Sequence, residues 1–348
     1  MLLRDHPVPG TVVFDGYGGN MEDVMKTAVV LAALSSLAIG STRDQVGPPL
    51  VDHHQHLFSP AAVRLITPNP LPPDGGALQP IDADKLIAFL DSAGIRRALV
   101  LSIAYTWGNP RRNVENEYEK VKAENDWTAG QVARYPDRLR AFCSLNPLRD
   151  YALDELARCA ANPLLRSGLK LHIGNSGVDY HNAQHLERLR RVFRAANERR
   201  MPIVIHMRAS ISQRLPYGRD EARIFLDSIL PRAPDIAVQI AHLAGAGGYD
   251  ATTDSALAVF VDAIAAHDAR VKQLWFDVTT VARNATDDEA KLLARRIRQL
   301  GLDRVLYGSD GATGGNLPPR EAWAEFLKLP LTEAEFRTIA NNVAPYMR

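Results

Sequence analysis

Eight short β-rich apolar runs, separated by segments with helical apolar spacing, constrain the fold of this chain most. They begin near Pro49 and continue without a glycine-serine linker or a low-complexity tract. Alternation of this kind favours a parallel sheet covered by helices, and eight strands match a (β/α)8 TIM barrel better than an open doubly wound sheet. We therefore predict an α/β protein with a single catalytic domain. The predicted strands are Leu50–His54, Arg97–Ile103, Leu139–Leu145, Gly168–Ile173, Pro202–His206, Ile236–His242, Leu274–Thr279 and Arg304–Ser309.

The composition excludes several other classes of protein. The chain has 348 residues with 41 Lys+Arg and 40 Asp+Glu, which gives a formal charge of +1. This balance offers no broad positive field for nucleic acid, so we expect no nucleic-acid partner. The only two cysteines, Cys143 and Cys159, exclude a disulfide scaffold and a cysteine-rich zinc module. We expect both to be buried thiols.

Residues 1–45 are set apart from the predicted barrel of residues 46–348. The uncharged segment Thr27–Gly40 follows Lys26 and ends in small residues, a pattern typical of a signal peptide at about residues 25–40. It is too short to span a bilayer, so we expect no stable membrane anchor. Cleavage would make the protein periplasmic or secreted. The alternative is a buried N-terminal helix in a cytoplasmic protein.

Polar side chains close five of the predicted strands, although charged and imidazole groups are costly to bury in a parallel sheet. They lie at the C-terminal ends of the strands, where barrel enzymes build their active sites. Any one of these residues taken alone is as consistent with a structural role as with a functional one. Their recurrence at the ends of five strands favours a functional site. The residues concerned are His54, His56, Lys170, His172, His206, His242 and Asp310.

These residue types favour a metal centre. Three neutral imidazoles and a carboxylate suit zinc, or manganese or iron, with one position open for water. His54 and His56 can bind one ion, because alternate residues of a strand share a face. Asp310 can bind the ion and accept the proton of a metal-activated water. His242 can orient that water or stabilise an oxyanion, unless a second ion recruits it as a ligand.

Two further side chains at this end of the barrel have open interpretations. Arg208 lies two residues after His206 and can hold a substrate carboxylate, or form a salt bridge within its loop. Asp277 ends the seventh predicted strand and can position a substrate group or orient a ligand histidine.

Together, these motifs resemble the amidohydrolase superfamily of metal-dependent TIM barrels. The Asp-x-His-x-His motif of the first strand, the histidines of strands five and six and the Gly-Ser-Asp after strand eight carry the resemblance. It covers about residues 49–345, and the stretches that narrow it to the amidohydrolase-2 branch are Val51–Phe58, Gly168–His172, Ile203–Arg208 and Leu306–Gly311. The ligands that the resemblance implies are His54, His56, His206 and Asp310, with His242 beside the metal-bound water.

The resemblance implies one divalent ion, with zinc as the first choice, and leaves the role of Lys170 open. In binuclear members a strand-four lysine, carboxylated on its amine, bridges two ions, and Lys170 lies on that strand with His172 on the same face. A second ion is therefore one alternative. Another is a charged lysine that binds a substrate carboxylate or oxyanion together with His172. The third is a lysine paired with a carboxylate in the barrel wall.

The branch contains hydrolases of lactones and amides as well as non-oxidative decarboxylases of aminomuconate-semialdehyde and resorcylate type. We expect a metal-dependent hydrolase that cleaves an ester, lactone or amide bond of a small, carboxylate-bearing substrate. The alternative is a decarboxylase, a lyase on the same scaffold. A barrel that only binds is disfavoured, because every implied ligand position is filled. Barrels of this type often pair, so a homodimer stays open.

Overall fold

The computed structural model describes residues 46–67, 79–208, 215–311 and 316–348. Its centre is a sheet of eight parallel strands, in which each strand pairs with the next in chain order. Helices surround the sheet, so the predicted (β/α)8 barrel is confirmed. The strands are β1 (Val51–Gln55), β2 (Arg97–Leu101), β3 (Leu139–Ser144), β4 (Leu169–His172), β5 (Ile203–His206), β6 (Val238–Ile240), β7 (Leu274–Asp277) and β8 (Val305–Leu306).

Six of the eight strands end one to three residues earlier than the sequence predicts, and two of these differences lie next to predicted site residues. β6 ends at Ile240, before His242, and β8 ends at Leu306, before Asp310. The backbone enters the left-handed region at both polar residues, with φ of 54° at His242 and 52° at Asp310. Hydrophobic spacing carries no signal for such turns, so the pattern extended the sixth strand to His242 and the eighth to Ser309, next to Asp310.

The barrel closes between β1 and the segment after β8. The backbone N–H of His53 donates to the Tyr307 carbonyl at 2.9 Å, and that of Asp310 donates to the His54 carbonyl at 2.8 Å. The buried Asp52 carboxylate joins the same two segments, because it accepts from the Ser309 N–H at 3.1 Å and the Ser309 hydroxyl at 2.6 Å. Burial raises the pKa of Asp52 to about 6. This closure fixes the motif histidines of β1 against the segment that carries Asp310.

Several of the helices begin where the sequence supplies a capping side chain. Thr286 and Glu289 form a capping box at the start of one helix, and Thr332 and Glu335 form another. The helices are α1 (Pro60–Ile66), α2 (Ala83–Ala93), α3 (Glu117–Ala133), α4 (Ala152–Ala161), α5 (Ile173–Ser176), α6 (Ala183–Glu198), α7 (Arg219–Ile224), α8 (Ala251–Ala265), α9 (Asp287–Leu300), α10 (Pro319–Phe326) and α11 (Glu333–Asn341).

The C-terminal segment covers the end of the barrel opposite the predicted site. Tyr346 and Met347 pack in one apolar cluster with side chains from the barrel strands. Arg97, the first residue of β2, donates to the Met347 carbonyl at 2.6 Å, and the Tyr346 hydroxyl donates to the Gln239 side chain. The N-terminal end of the barrel is therefore packed, which leaves the C-terminal end for ligands.

The expectation of two free thiols is wrong. Cys143 on β3 and Cys159 on α4 are fully buried, as expected, but the structure joins them in a disulfide. Their Cα atoms lie 6.2 Å apart, which is within the range of protein disulfides. The two residues are 16 apart in the sequence, and only the packing of the helix against the barrel brings them together.

The predicted leader, residues 1–45 with its apolar segment 25–40, lies outside the described residues, so the division of the chain stays a prediction. N-terminal sequencing of the mature protein from its host tests it, since an intact Met1 would contradict cleavage. Within the described residues, no helix is both long and apolar enough to cross a membrane.

Candidate active site

His54 and His56 each hold one ring nitrogen against an acceptor of the barrel. Nδ1 of His54 lies 3.1 Å from the Asp277 carboxylate, and Nδ1 of His56 lies 2.6 Å from the Leu101 carbonyl. These oxygens can only accept, so both Nδ1 atoms carry the proton. Burial lowers the pKa of His54 to about 3 and that of His56 well below its usual value, so both rings are neutral. Each ring therefore keeps its lone pair on Nε2, as a metal ligand requires.

His242 has the same arrangement in the turn after β6. Its Nδ1 lies 3.0 Å from the Thr279 carbonyl, so its lone pair is also on Nε2. Its ring centroid lies 4.8 Å from that of His54. One potential ligand atom from each of His54, His242 and Asp310 lies within 4.8 Å of the others. The structure thus brings His242 into the cluster as a candidate ligand as well as a candidate base.

Asp277 at the end of β7 orients two of these histidines. Besides Nδ1 of His54, its carboxylate accepts from the His242 backbone N–H at 2.8 Å and from the Gln239 side chain at 2.6 Å. Burial alone acts to raise its pKa, but attraction and hydrogen bonding by His54 and attraction by His242 outweigh burial and hold the pKa well below its usual range. The ionised Asp277 therefore takes the orienting role that the sequence suggested.

Asp310 reaches the cluster because β8 approaches β1 closely. A Cβ at Gly308 would lie 2.7 Å from the His54 Cβ, so only glycine fits there. Oδ1 of Asp310 lies 3.8 Å from Nε2 of His56, and Oδ2 accepts from the Asn316 side chain at 2.9 Å. One carboxylate oxygen is thus anchored while the other faces the imidazoles.

His172 and His206 stack face to face on neighbouring strands, with ring centroids 4.1 Å apart. Nε2 of His206 is buried and has no hydrogen-bond partner within the described part of the chain, which suits a metal ligand. His172 differs, because its Nδ1 accepts from the Asn175 backbone N–H at 3.3 Å. Burial keeps the ring neutral by lowering its pKa, so its proton lies on Nε2. His172 therefore offers a hydrogen-bond donor rather than a lone pair.

Lys170 is fully buried beneath the cluster. Its Nζ lies 3.4 Å from Nε2 of His54. Burial lowers the pKa of Lys170 to about 8, against the opposing attraction of Asp277 and Asp310. The ammonium loses its proton more readily than an exposed lysine, so both the charged and the neutral amine are accessible near neutral pH.

Two arginines near the site, Arg208 and Arg112, have different surroundings. Arg208 donates to Asp250 at 2.8 Å and to the Thr253 hydroxyl at 2.9 Å, and it is not among the residues that line the cavity. Arg112, in the loop after β2, does line it. Sequence reasoning missed Arg112, because its loop has no strand register to show which way a side chain points.

A cavity of about 300 Å³ opens above the cluster, close to the lower end of the range for small-molecule sites. His54, His56, His206, His242 and Asp310 all reach it, so the predicted ligands and the predicted catalytic histidine line one cavity. The rest of the lining combines an apolar wall with a few polar groups: Phe58, Ile66, Ile103, Tyr105, Thr106, Arg112, His172 and Asn175.

Comparison with known families agrees with this arrangement. The family model described as Amidohydrolase (Amidohydro_2) matches residues 51–342. The chain belongs to the amidohydrolase family. Amidohydrolases of this family are metal-dependent, and the match spans the whole histidine and aspartate cluster. A search of curated protein sequences gives no match.

Solved structures of the amidohydrolase fold resemble the chain at low identity. A 2,6-dihydroxybenzoate decarboxylase from Rhizobium is 19% identical with a TM-score of 0.58, over 85% of this chain and 96% of its own. A 5-carboxyvanillate decarboxylase from Novosphingobium aromaticivorans, complexed with manganese and a nitrobenzoic acid, is 15% identical with a TM-score of 0.57, over 86% and 95%. A "probable 2-pyrone-4,6-dicarboxylic acid hydrolase" from Acinetobacter baumannii is 16% identical with a TM-score of 0.55, over 84% and 96%. At these identities the likeness shows the fold alone.

Proposed function

We propose that this amidohydrolase hydrolyses an ester, lactone or amide bond of a small carboxylate-bearing molecule with a divalent metal ion. The observation that carries the proposal is the convergence of the cluster on one cavity. His54, His56 and His242 are locked with their lone pairs on Nε2, and Asp310 faces them. A neutral imidazole set with one carboxylate is the donor chemistry that zinc and similar ions take.

The residues present fit one resident ion. We assign His54, His56, His206 and Asp310 as its ligands, and the unpartnered Nε2 of His206 supports that choice. When bound, the ion polarises the bond under attack and lowers the pKa of a water molecule. Zinc is our first choice and manganese the second, since the donor set suits both.

Side chains of the cluster supply the proton transfers and the charge stabilisation that hydrolysis requires. Oδ1 of Asp310 takes the proton of the attacking water, and Nε2 of His242 orients that water by accepting a hydrogen bond. The Nε2–H of His172 donates to the oxygen that gains negative charge, with Lys170 beneath it. The leaving alcohol or amine receives its proton from Asp310, which returns to its starting state.

Arg112 is the group that we assign to a substrate carboxylate. It is half-buried at the cavity wall, and burial lowers its pKa from the usual value. An arginine stays charged even so, and its planar guanidinium can hold a carboxylate through two hydrogen bonds. Arg208 is less suited to this role, because Asp250 already occupies its Nη1.

Decarboxylation is the second candidate, and the apolar side of the cavity favours it. Phe58, Ile66 and Ile103 form a wall that suits a planar aromatic acid. In that reaction the bond to the carboxylate breaks, CO₂ leaves, and the electron pair left on carbon takes a proton from Asp310 or His242. Two of the solved structures named above are decarboxylases, so both reactions need to be tested together.

A paired assay separates the two reactions. Metal-loaded enzyme is incubated with a panel of lactones, esters, amides and hydroxybenzoic acids, while acid release and CO₂ are measured in the same vessel. We expect acid release from a lactone, ester or amide without CO₂. Stoichiometric CO₂ without hydrolysis would replace the first proposal with the second.

Removal of the metal should reduce both activity and stability. A chelator should abolish turnover, and zinc or manganese at a hundredfold excess over its Kd should return about 2.7 kcal/mol of stability, because the ion binds only the folded state. Elemental analysis should give one ion per chain. Two ions per chain in the presence of bicarbonate would contradict the mononuclear assignment and favour a carboxylated Lys170.

The donor role of His172 can be tested with two matched variants. His172→Phe keeps a ring stacked on His206 but loses the Nε2–H, so kcat should fall about a hundredfold. His172→Gln keeps an N–H donor and should recover most of that loss. Equal losses in both variants would show that His172 acts through packing instead.

A further inference from the structure

The turn after β6 has a backbone conformation that L-residues rarely adopt. His242, Leu243 and Ala244 are three consecutive non-glycine residues with φ of 54°, 48° and 66°. Left-handed geometry brings each Cβ close to a carbonyl oxygen, so a run of three is unfavourable. Leu243 and Ala244 are also fully buried, so solvent does not hold the turn in place. Such strain persists only where the surrounding structure imposes it.

Specific hydrogen bonds hold the turn at its two ends. At the start, the His242 N–H donates to Asp277 at 2.8 Å, and the Gly245 N–H donates back to the His242 carbonyl at 2.8 Å. At the far end, the Tyr217 hydroxyl donates to the Ala244 carbonyl at 2.5 Å. Tyr217 precedes α7, so it is a distant part of the chain that reaches over the turn.

Tyr217 is itself held in place. The Arg208 guanidinium lies 5.9 Å from the Tyr217 ring, within the range of a cation–π contact. Asp250 and Thr253 fix that guanidinium by accepting from its Nη1 at 2.8 and 2.9 Å. Tyr217 is not among the residues that line the cavity. Tyr217 and Arg208 therefore support the turn from outside the cavity, which gives Arg208 a structural role as well.

We propose that Tyr217 is a positioning residue: its bond to the Ala244 carbonyl keeps the turn left-handed and so directs Nε2 of His242 into the cavity. Without the bond, the turn relaxes toward ordinary backbone geometry and moves the imidazole away from His54 and Asp310. This inference rests on the proposed function only for the role of His242, because the state of the turn is measurable without any substrate.

The kinetic test compares two tyrosines of the same region. Tyr217→Phe removes the hydroxyl alone and should lower kcat about tenfold with KM changed less than twofold, because the ring does not line the cavity. Tyr180 lines the same small void as Tyr217, and its hydroxyl has no hydrogen-bond partner within the described residues. Tyr180→Phe is therefore the matched control and should leave kcat unchanged. Equal kcat in Tyr217→Phe and wild type would overturn the proposal.

Hydrogen–deuterium exchange gives a readout that needs no activity. In Tyr217→Phe, amide exchange of a peptide covering residues 241–246 should rise at least tenfold, while other barrel peptides keep their rates. Adding Ala244→Gly should restore slow exchange and most of the kcat, because glycine adopts positive φ without a steric penalty. Unchanged exchange in Tyr217→Phe, or no rescue by glycine, would overturn the positioning role. Absence of any hydrolysis or CO₂ release would overturn only the proposed function.

Discussion

Replacing Asp310 with asparagine should lower kcat/KM about a thousandfold, because an amide can neither accept the proton of the attacking water nor bind a cation as a carboxylate does. The substitution is mild for the backbone. Asp310 has a φ of 52°, and asparagine tolerates this left-handed region better than most residues. Its side-chain oxygen can still accept from Asn316, as Oδ2 does now at 2.9 Å. Initial rates on any substrate found in the panel measure the loss.

The fold of the Asp310→Asn variant serves as the control. Circular dichroism and the melting temperature should match the wild type when both proteins are metal-free. Activity within tenfold of the wild type would refute the role assigned to Asp310. A large fall in metal-free melting temperature would instead show that the carboxylate stabilises the fold.

Asp277→Asn should have the second-largest effect, on both metal affinity and stability. In the wild type, Oδ2 accepts from Nδ1 of His54 and from the Gln239 side chain, and Oδ1 accepts from the backbone N–H groups of His242 and Thr279. An amide has only one accepting oxygen, so its NH₂ group must face donors on one of these two sides. With the amide turned either way, the negative charge that attracts the Nδ1–H of His54 is lost, so the lone pair of His54 is held less firmly on Nε2. Loss of such an orienting carboxylate weakens metal binding about 10–100-fold. Losing the hydrogen bonds of a buried charged carboxylate costs about 1.5–3 kcal/mol of folding stability.

A carboxylate on helix α8, Asp254, supplies the control for Asp277. Asp254 pairs with Arg296 at 2.8 Å and lies outside the cavity lining. Asp254→Asn makes the same chemical change and should leave metal affinity within twofold of the wild type. Titration of metal-free protein, followed by calorimetry, gives the affinities and a denaturant melt gives the stabilities. Equal metal affinity in Asp277→Asn and wild type would show that Asp277 has no orienting role.

The fold could be predicted because barrel strands carry a strong local signal. Buried parallel strands are apolar on both faces, and each of the eight runs was long enough to be separated from the helical spacing around it. The polar residues at strand ends were visible for the same reason, since they interrupt otherwise apolar runs. His54, His206 and Lys170 could be identified from the sequence in this way.

The rest of the site depends on contacts between distant segments. The backbone carbonyls of Leu101 and Thr279 determine which ring nitrogen of His56 and His242 carries the proton. Every residue has a backbone carbonyl, so the sequence does not show which one a histidine contacts. The different environments of Arg208 and Arg112 follow from loop paths after β5 and β2. Neither a proton position nor a loop path has a periodic signature, so the sequence could name the histidines but not which ring nitrogen of each carries the proton.

The proposed function depends most on how the histidine rings face a bound ion. Anomalous diffraction at the zinc absorption edge, from crystals of the full chain with one equivalent of zinc, tests this directly. We predict one peak at about 2.0–2.2 Å from Nε2 of His54, Nε2 of His56 and a carboxylate oxygen of Asp310, with Nε2 of His206 completing the site. A peak bound through Nδ1 of either β1 histidine, or one located away from Asp310, would contradict it.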